Sequence, residues 1–541
     1  MSMQQTNLNG LTRYALQGRV VTMDPSFRVL KHGLVYVDQG GIVAVISRGA
    51  PPPPGMEDVP LIPTRGTIYP GLIELHNHLS YNALPLWNVP QKYTNRAQWQ
   101  SSDNYRALIN EPLRVLGHNP DQDYVRAIVR FAECRCLLGG VTTSQGMALF
   151  SNTGIGRYYH GVIRVLEEPD SPSLPAAASH ISDVAATDAA RFLVELGKPR
   201  CLLLHLSEGT DDAAHEHFAA LHLPDGRWAI TQHLAGIHCV ALTPADWETM
   251  RANGGSLVWS PLSNLLLYGQ TADIKTAKAS GIRIGIGADW APTGSKNLLG
   301  ELKVARLVSD HLGGIFTDRE LVAMATCNGA AIAEWDQALG SIEAGKRADL
   351  LIVEGTRDDP YSHLLQATEA AISLVVVDGV PRYGRRRLME RFGVGTEHWK
   401  VNGAYRVLNL GQDVPDPAVG NMSLRAAYDK LVYGLEHLPD LAQEHPTPEA
   451  ITAILPETET CWSLVLDHDE PDGMMQRPYL LAEPGGQPTA MPAGAAAPLT
   501  QELVPQRLDP LTVVDDPTFL DRLRNEANLP DYVKEGLPQL Y

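Results

Sequence analysis

Two histidines at the end of an apolar run are the residues of this chain best suited to chemistry. The segment YPGLIELHNHLS, residues 69–80, places His76 and His78 two positions apart. On a β-strand, residues i and i+2 point to the same face, so both imidazoles can bind one ion. Imidazole binds zinc, and it also suits iron and nickel. An H-x-H pair alone is equally compatible with a structural or surface role, so the metal hypothesis depends on the rest of the chain.

Three more polar side chains follow apolar runs further along the sequence. His205 follows the run 201–204, His238 closes the run in GIHCVAL, and Asp289 closes IRIGIGA. A buried carboxylate such as Asp289 needs a partner, and a metal ion is one. Enzymes built on a (β/α)₈ barrel keep their chemistry at the carboxyl ends of the strands. Each residue alone could be an ordinary core or loop residue, but their shared placement predicts one functional site.

Glu208 lies three positions after His205, in the loop that follows the predicted strand. A carboxylate there can take a proton from water beside a metal ion and give it to a leaving group. The alternative is an ordinary surface glutamate in a loop. Too few carboxylates are evident for two metals, so we place His238 beside the water, where an imidazole can orient it and stabilise negative charge.

Four residues are weaker candidates for contact with substrate: Trp290, His180, Asn264 and Lys296. Trp290 could stack on a planar ring or pack against a neighbouring loop. His180 is expected near the end of a fourth strand, and Asn264 near the loop of the seventh. Lys296 could bind a polar group, or it could belong with Asn297 to the cap of the next helix.

The middle of the chain, residues 65–335, alternates short apolar strands with helical patterns. One such helix has Thr243 as its expected N-cap and Gly254 as its stop. Repeated alternation of this kind predicts an α/β fold with a TIM-like (β/α)₈ barrel. A doubly wound open sheet is the competing fold, but no G-x-G-x-x-G opens a helix after a strand.

The flanks of the barrel region are rich in β-branched residues, and we predict that they form one small β-sandwich domain. Its first part is 1–64, with a hairpin turn at Gln39-Gly40-Gly41, and its second part is 336–400. Residues 401–541 form a C-terminal extension to which the sequence assigns no chemistry. Within it, 421–443 has helical periodicity, and 483–498 is a Pro/Gly/Ala linker.

The composition indicates which binding partners and which cellular location to expect. The formal net charge of −18 has no long basic run to offset it, which argues against a nucleic-acid partner. No apolar run is long enough to cross a membrane, and the N-terminus has no secretion-signal pattern. Six cysteines without a disulfide or zinc-ribbon spacing fit reduced thiols. We therefore expect a cytoplasmic protein with no membrane or nucleic-acid partner.

Seven motifs occur in a fixed order within residues 11–385: PGLIELHNH, GVTT, LLHLSEG, GIHCVAL, SPLSN, GIGADWAPTGS and MATCNGAAIAEWDQALGSIEAGKRADLLIV. Their order and spacing resemble the amidohydrolase superfamily. More narrowly, they resemble its branch of chlorotriazine hydrolases, guanine deaminase and related metal-dependent deaminases.

The resemblance implies one divalent metal ion, Zn²⁺ or alternatively Fe²⁺, held by His76, His78, His205 and Asp289. It also implies Glu208 as proton shuttle, His238 beside the hydrolytic water, and Asp289 as acceptor of the water's proton. The expected reaction is hydrolysis of a non-peptide C–N bond in a small cyclic or heteroaromatic molecule by metal-activated hydroxide, either deamination or opening of a cyclic amide. Homo-oligomerisation is expected from the resemblance alone.

Other branches and other functions stay open at this point. Members with two metals bridge them through a carboxylated lysine, but Lys198 begins the strand that leads to His205 and lies far from its metal end. Glu167 or Glu168 could supply a third-strand carboxylate, as in N-acetylglucosamine-6-phosphate deacetylase relatives. Removal of another leaving group, as in dechlorination, is a second reaction for the same residues. A non-catalytic assembly protein and a purely structural metal site are the remaining alternatives.

Overall fold

A computed structural model describes residues 10–152, 155–395, 397–443, 460–467 and 499–541. The predicted linker at 483–498 lies outside the described residues. Among those described, no helix combines the length and the apolar composition needed to cross a membrane.

The described strands are β1 Arg13–Val21, β2 Val29–Asp38, β3 Gly41–Ser47, β4 Leu61–Pro70, β5 Leu72–Glu74, β6 Val141–Ser144, β7 Ala148–Ser151, β8 Gly156–Tyr158, β9 Arg164–Val165, β10 Ala178–His180, β11 Leu202–Leu206, β12 Leu234–His238, β13 Ser256–Trp259, β14 Arg283–Ile286, β15 Leu350–Glu354, β16 Ile372–Val377, β17 Val380–Arg385, β18 Glu397–Val401, β19 Ala404–Leu408 and β20 Trp462–Leu464.

The described α-helices are α1 Arg96–Gln100, α2 Asp103–Tyr105, α3 Glu111–Gly117, α4 Asp123–Leu138, α5 Ala189–Glu195, α6 Asp212–Ala219, α7 Pro244–Ala252, α8 Pro261–Tyr268, α9 Ile274–Ser280, α10 Leu298–His311, α11 Asp318–Met324, α12 Cys327–Ile332, α13 Pro360–Leu365, α14 Arg386–Phe392, α15 Leu424–Glu436, α16 Leu438–Gln443, α17 Phe519–Asn525 and α18 Asp531–Gly536.

Strands from both flanks of the chain share one nine-stranded sheet. Its order is β18-β19-β17-β16-β15-β4-β1-β2-β3, and β15 pairs antiparallel with β4 where the two flanks meet. The expected hairpin joins β2 to β3, with Gln39 and Gly40 at positive φ, as a tight turn between twisted strands requires. The sheet continues to β19, beyond residue 400. The two-layer sandwich and the bounds 1–64 and 336–400 stay predictions.

The middle of the chain supplies parallel strands separated by helices. One sheet has the order β10-β11-β12-β13-β14, and another has β5-β6-β9, with parallel pairing throughout. Backbone hydrogen bonds connect the two sheets at both edges: Leu75 N donates to Ile286 O at 3.3 Å, and Ala177 N donates to Leu166 O at 2.8 Å. This mixed α/β layout is consistent with the predicted barrel.

Local sequence explains where the helices around these strands begin and end. Thr243 caps α7 in a reciprocal capping box with Asp246, and Gly254 follows the helix at φ +84°, as predicted. Asn297 caps α10 by accepting a hydrogen bond from Gly300 N at 3.2 Å. The cap was one of the two expectations for the Lys296–Asn297 pair, and the structure confirms it.

The C-terminal extension packs onto the body of the protein. Helix α15 lies against α4, where a Cβ at Gly434 would lie 2.5 Å from the Tyr124 ring. The short strand β20 pairs antiparallel with β7, next to the parallel strand β6. Two helices, α17 and α18, follow near the end of the chain, and α18 packs on α10. The extension is thus tied to the region that carries the predicted site.

Candidate metal centre and active site

The segments that carry the H-x-H pair and Asp289 come together through backbone contacts. Asp289 N donates to His76 O at 3.0 Å, and His78 N donates to Asp289 O at 2.6 Å. A Cβ at Gly287 would lie 2.5 Å from His76 O, so only glycine lets the two chain segments approach this closely. His205 lies in β11, and His238 ends the adjacent strand β12.

Four non-glycine residues at these strand ends have left-handed backbone conformations. Ser207 has φ +50°, His238 +66°, Cys239 +51° and Asp289 +67°. Such conformations cost of the order of 1–3 kcal/mol each and are found mostly where the surrounding structure needs a particular side-chain direction. Here they turn the polar groups of His238 and Asp289 into one buried cluster.

The side-chain atoms of this cluster fit a divalent metal ion. Asp289 Oδ1 lies 3.0 Å from His76 Nε2 and 3.5 Å from His78 Nε2, and the Nε2 atoms of His78 and His205 are 3.2 Å apart. Neutral imidazole nitrogens that face each other in this way have repelling lone pairs, which a shared cation would neutralise. His238 offers a ring nitrogen within 4.8 Å of those of His76 and His205. The predicted donors thus lie in two overlapping groups that share His76: one holds His78 and Asp289, and the other holds His205 and His238.

Hydrogen bonds at the far side of His76 set its tautomer. Its Nδ1 lies 2.9 Å from Gln145 Oε1, while Gln145 Nε2 donates to Ser179 Oγ at 2.9 Å. An amide oxygen only accepts, so Nδ1 carries the hydrogen and Nε2 presents a lone pair to the cluster. Ser179 in turn donates to Glu167 at 2.6 Å. Glu167 is thus engaged behind Gln145, whereas Glu168 contacts His160.

The pKa shifts of His76 and His205 favour the neutral form, and that of Asp289 favours the ionised form. Burial lowers the pKa of His76, and it lowers the pKa of His205 well below its usual range. Burial alone would raise the pKa of Asp289, but the nearby imidazoles, His76 foremost, hold it below its usual range. Ser263 Oγ also donates to Asp289 Oδ2 at 2.6 Å. Neutral imidazole and ionised carboxylate are the forms that bind metal.

Glu208 is held at the edge of the cluster by a tyrosine. Tyr268 OH donates to Glu208 Oε1 at 2.7 Å, and Trp99 Nε1 donates to the same hydroxyl oxygen at 2.9 Å. The other carboxylate oxygen, Oε2, lies 3.8 Å from His238 Nε2 and 3.9 Å from the Arg96 guanidinium. Glu208 is therefore placed to exchange a proton with a group that lies next to His238.

His238 is oriented by Asn264, one of the predicted substrate contacts. His238 Nδ1 lies 2.9 Å from Asn264 Oδ1, and Asn264 Nδ2 donates to Thr271 Oγ1 at 3.2 Å. Because the amide oxygen only accepts, His238 carries its hydrogen on Nδ1 and directs Nε2 toward Glu208. Asn264 is fully buried behind this imidazole and contacts the histidine, so its expected role as a substrate contact is corrected.

A small pocket opens onto the cluster; its lining residues are His78, Arg96, Trp99, Gln100, Ile181, His205, Glu208, His238, Asp289, Trp290 and Asp467. Trp290 forms an aromatic wall, with ring centroids 5.1 Å from Tyr81 and 5.8 Å from both His78 and Trp99. Lining the pocket is one of the two roles that the sequence left open for Trp290. A flat apolar surface beside a polar cluster suits a small planar molecule.

Two further predicted contacts do not reach this pocket. His180 is buried at the end of β10, with its ring beside Phe192 at 6.4 Å, and it is not among the lining residues. Lys296 is buried against Asp509 and Asp516, the latter at 3.0 Å, and is engaged there. Its apolar surroundings demand a fixed counter-charge, which the C-terminal extension supplies. The expectation that either residue lines the substrate pocket is therefore corrected.

Sequence reasoning missed three residues that position the cluster: Gln145, Tyr268 and Asp467. Gln145 directly follows β6, and Tyr268 lies one helical turn after Asn264 on α8, on the same helix face. Both could have been found from strand-end position and helical spacing. Asp467 has no such signal, because its segment lies far along the chain from every other residue of the site.

Comparison with known proteins agrees with this geometry. Residues 202–382 match the model of the amidohydrolase family. The chain is 26% identical over 398 residues to 5-methylthioadenosine/S-adenosylhomocysteine deaminase of Desulforudis audaxviator, covering 66% of this chain and 90% of that one. It is 24% identical over 404 residues to S-triazine hydrolase of Gordonia rubripertincta, covering 64% and 83%.

A solved structure resembles the fold. The zinc-bound adenosine deaminase of Xanthomonas campestris superposes with a TM-score of 0.56 at 18% identity, covering 78% of this chain and 97% of that one. At that identity the likeness concerns the fold alone. The family match and the relatives identify this chain as a hydrolytic enzyme that carries an amidohydrolase family domain.

Proposed function

We propose that this protein is a hydrolase with one divalent metal ion that cleaves a non-peptide C–N bond in a small cyclic or heteroaromatic molecule. The observation that carries the proposal is that His78 Nε2 lies 3.5 Å from Asp289 Oδ1 and 3.2 Å from His205 Nε2, with Glu208 lining the same pocket. His76 completes the donor set. We further propose that the eight parallel strands among the described residues close into a (β/α)₈ barrel, as the hydrogen bonds between β5 and β14 and between β9 and β10 support.

Several residues of the chain have separate roles in the proposed hydrolysis. A divalent ion, Zn²⁺ or alternatively Fe²⁺, supplies the acidification of water that makes hydroxide available near neutral pH. Asp289, ionised and held by Ser263, accepts a proton as the attack proceeds. Glu208 carries a proton to the departing nitrogen, and Tyr268 keeps its carboxylate in place. His238 directs Nε2 into the same space and orients the attacking group.

The substrate class follows from the walls of the pocket. Trp290 and Trp99 present indole faces that suit a planar ring. The relatives described above are named for deaminating 5-methylthioadenosine and S-adenosylhomocysteine or for hydrolysing S-triazine. We therefore propose hydrolytic deamination of an aminated heterocycle. Removal of another leaving group from such a ring, as the S-triazine hydrolase relative suggests, is the alternative. A non-catalytic assembly role is disfavoured because the whole donor set and Glu208 are present.

Metal analysis followed by a substrate screen tests the proposal. Plasma mass spectrometry on the purified protein should find about one equivalent of zinc or iron, and His76→Ala should lose it. Release of ammonia should be screened on aminopurine nucleosides, aminotriazines and lactams, with chloride release measured in parallel on chlorotriazines. Protein that binds no metal after reconstitution, or loaded protein inactive toward every compound class, would contradict the proposal.

Glu208→Gln is the sharpest variant for the proton-transfer role. It should retain the metal ion and lose about 10²- to 10⁴-fold in kcat, which is the usual contribution of general acid–base catalysis. Glu248→Gln is a matched control, because Glu248 is exposed on α7, where it pairs with Arg251. Full turnover by Glu208→Gln would remove Glu208 from the mechanism.

We propose a homo-oligomer from the resemblance, and a cytoplasmic location from the composition and the cysteine pattern. Light scattering coupled to size-exclusion chromatography measures the number of subunits directly.

A further inference from the structure

A segment of the C-terminal extension, residues 460–467, runs along the mouth of the predicted barrel. Its strand β20 pairs with β7, with Leu464 opposite Leu149. Val465 N donates to Ala148 O at 2.9 Å, and His118 Nε2 contacts Leu464 O at 2.9 Å. These contacts fix the direction in which the segment leaves β20.

The segment delivers one carboxylate to the candidate metal centre. Asp467 Oδ2 lies 2.9 Å from His78 Nδ1, and Asp467 N donates to the hydroxyl of Tyr81 at 3.3 Å. The Asp467 side chain is only 9% exposed and lines the pocket. The carboxylate therefore lies on the side of His78 opposite to the nitrogen that faces the cluster.

We propose that Asp467 is a positioning residue that fixes the tautomer and ring orientation of His78 for metal binding. An ionised carboxylate accepts hydrogen bonds only, so His78 carries its hydrogen on Nδ1 and presents the Nε2 lone pair toward Asp289 and His205. A carboxylate in this position also makes the imidazole a stronger ligand, whereas Gln145 gives His76 orientation without charge. The inference rests on the metal-dependent function proposed above.

The position of Asp467 gives the C-terminal extension a part in the candidate metal centre. The carboxylate comes from a segment outside the region that matches the amidohydrolase family, residues 202–382. The extension thus both packs against the body of the protein and supplies a group to the metal centre. A metal site built only from residues before 401 would lack Asp467, the hydrogen-bond partner of His78.

Metal affinity of the full-length apoprotein tests this role without relying on turnover. The dissociation constant for Zn²⁺ is measured by competition with a chromophoric chelator. Asp467→Ala should weaken binding by about 10- to 100-fold, the usual cost of removing a carboxylate behind a metal-bound histidine. Asp467→Asn should lose less Zn²⁺ affinity than Asp467→Ala, because its amide oxygen still accepts the hydrogen bond from His78. It should still lose some, because the amide carries no charge. Asp521→Asn, an exposed aspartate of the same extension, should bind Zn²⁺ like the unaltered protein.

The outcomes separate this inference from the function on which it rests. If the unaltered protein binds no Zn²⁺, the proposed function fails. If it binds Zn²⁺ and Asp467→Ala binds equally tightly, the positioning role is overturned. Should Asp467→Ala not fold, Asp467→Asn decides, and a dissociation constant within about twofold of the unaltered value overturns the proposal. Thermal unfolding of each apoprotein shows whether the segment still docks.

Discussion

Replacing Tyr268 with phenylalanine should slow the reaction while leaving the metal ion in place. The hydroxyl donates to Glu208 Oε1 at 2.7 Å and accepts from Trp99 Nε1 at 2.9 Å. Burial raises the pKa of Tyr268 well above its usual range, so the hydroxyl keeps its proton and remains a donor. The variant removes this donor from the carboxylate and leaves the indole hydrogen without its acceptor. It touches none of the metal-binding atoms.

The size of the effect follows from the kind of hydrogen bond that is lost. A hydrogen bond to a charged group contributes about 1.5–3 kcal/mol. At about 1.4 kcal/mol for each factor of ten, kcat should fall by about 10- to 150-fold. Since Tyr268 acts only through Glu208, the loss should not exceed that of Glu208→Gln itself.

Steady-state kinetics on the most active compound from the screen, with metal content measured on the same samples, provides the assay. In the Glu208→Gln background, Tyr268→Phe should cause little further loss in kcat, because both changes affect the same Tyr268–Glu208 hydrogen bond. Tyr405→Phe, on an exposed tyrosine of β19, should be neutral. The reasoning is refuted if Tyr268→Phe keeps full kcat, or if its penalty is undiminished in the double variant.

Two further predictions concern stability. Burial raises the pKa of Glu301 to about 7. Between pH 4.5 and 7 the folded chain therefore keeps a proton on Glu301 that the unfolded chain has released. As a result, up to about 3 kcal/mol of the free energy of unfolding is lost as pH rises through this range. Glu301→Gln should flatten this dependence in thermal unfolding at pH 5 and pH 8, and an unchanged slope would contradict the assignment. Asp509→Ala leaves the buried charges of Lys296 and Arg135 without their shared partner and should cost about 3–5 kcal/mol. Calorimetry should show a large drop in Tm for it and almost none for Asp521→Ala.

Much of the candidate site could be predicted from the sequence because its main residues obey local rules. His76, His205 and Asp289 each follow an apolar strand, and parallel strands place their carboxyl ends at one edge. Chain order and strand period thus predict which side chains converge, and the structure brings them together. The same local rules predicted the β2–β3 hairpin and the caps of α7 and α10.

Local rules failed where a polar side chain could pair with more than one possible partner. Lys296 and Asn264 both lie close to the site in sequence, and each could have faced either the substrate or the protein. The structure directs Lys296 to the acidic groups of the extension and Asn264 to His238. A buried polar side chain takes the partner that the packing of other elements provides, and neighbouring residues do not encode that partner.

The candidate metal ligands and the alternation of strands and helices could be predicted from residue order alone, because both depend on short-range spacing. Which groups support those ligands depends on contacts between segments that are distant in the chain. Asp467 reaches His78 because β20 pairs with β7, a contact between segments far apart in the chain. The position of such a segment depends on the summed packing of the whole molecule, since no period or motif in residues 460–467 points to a histidine near the beginning of the chain.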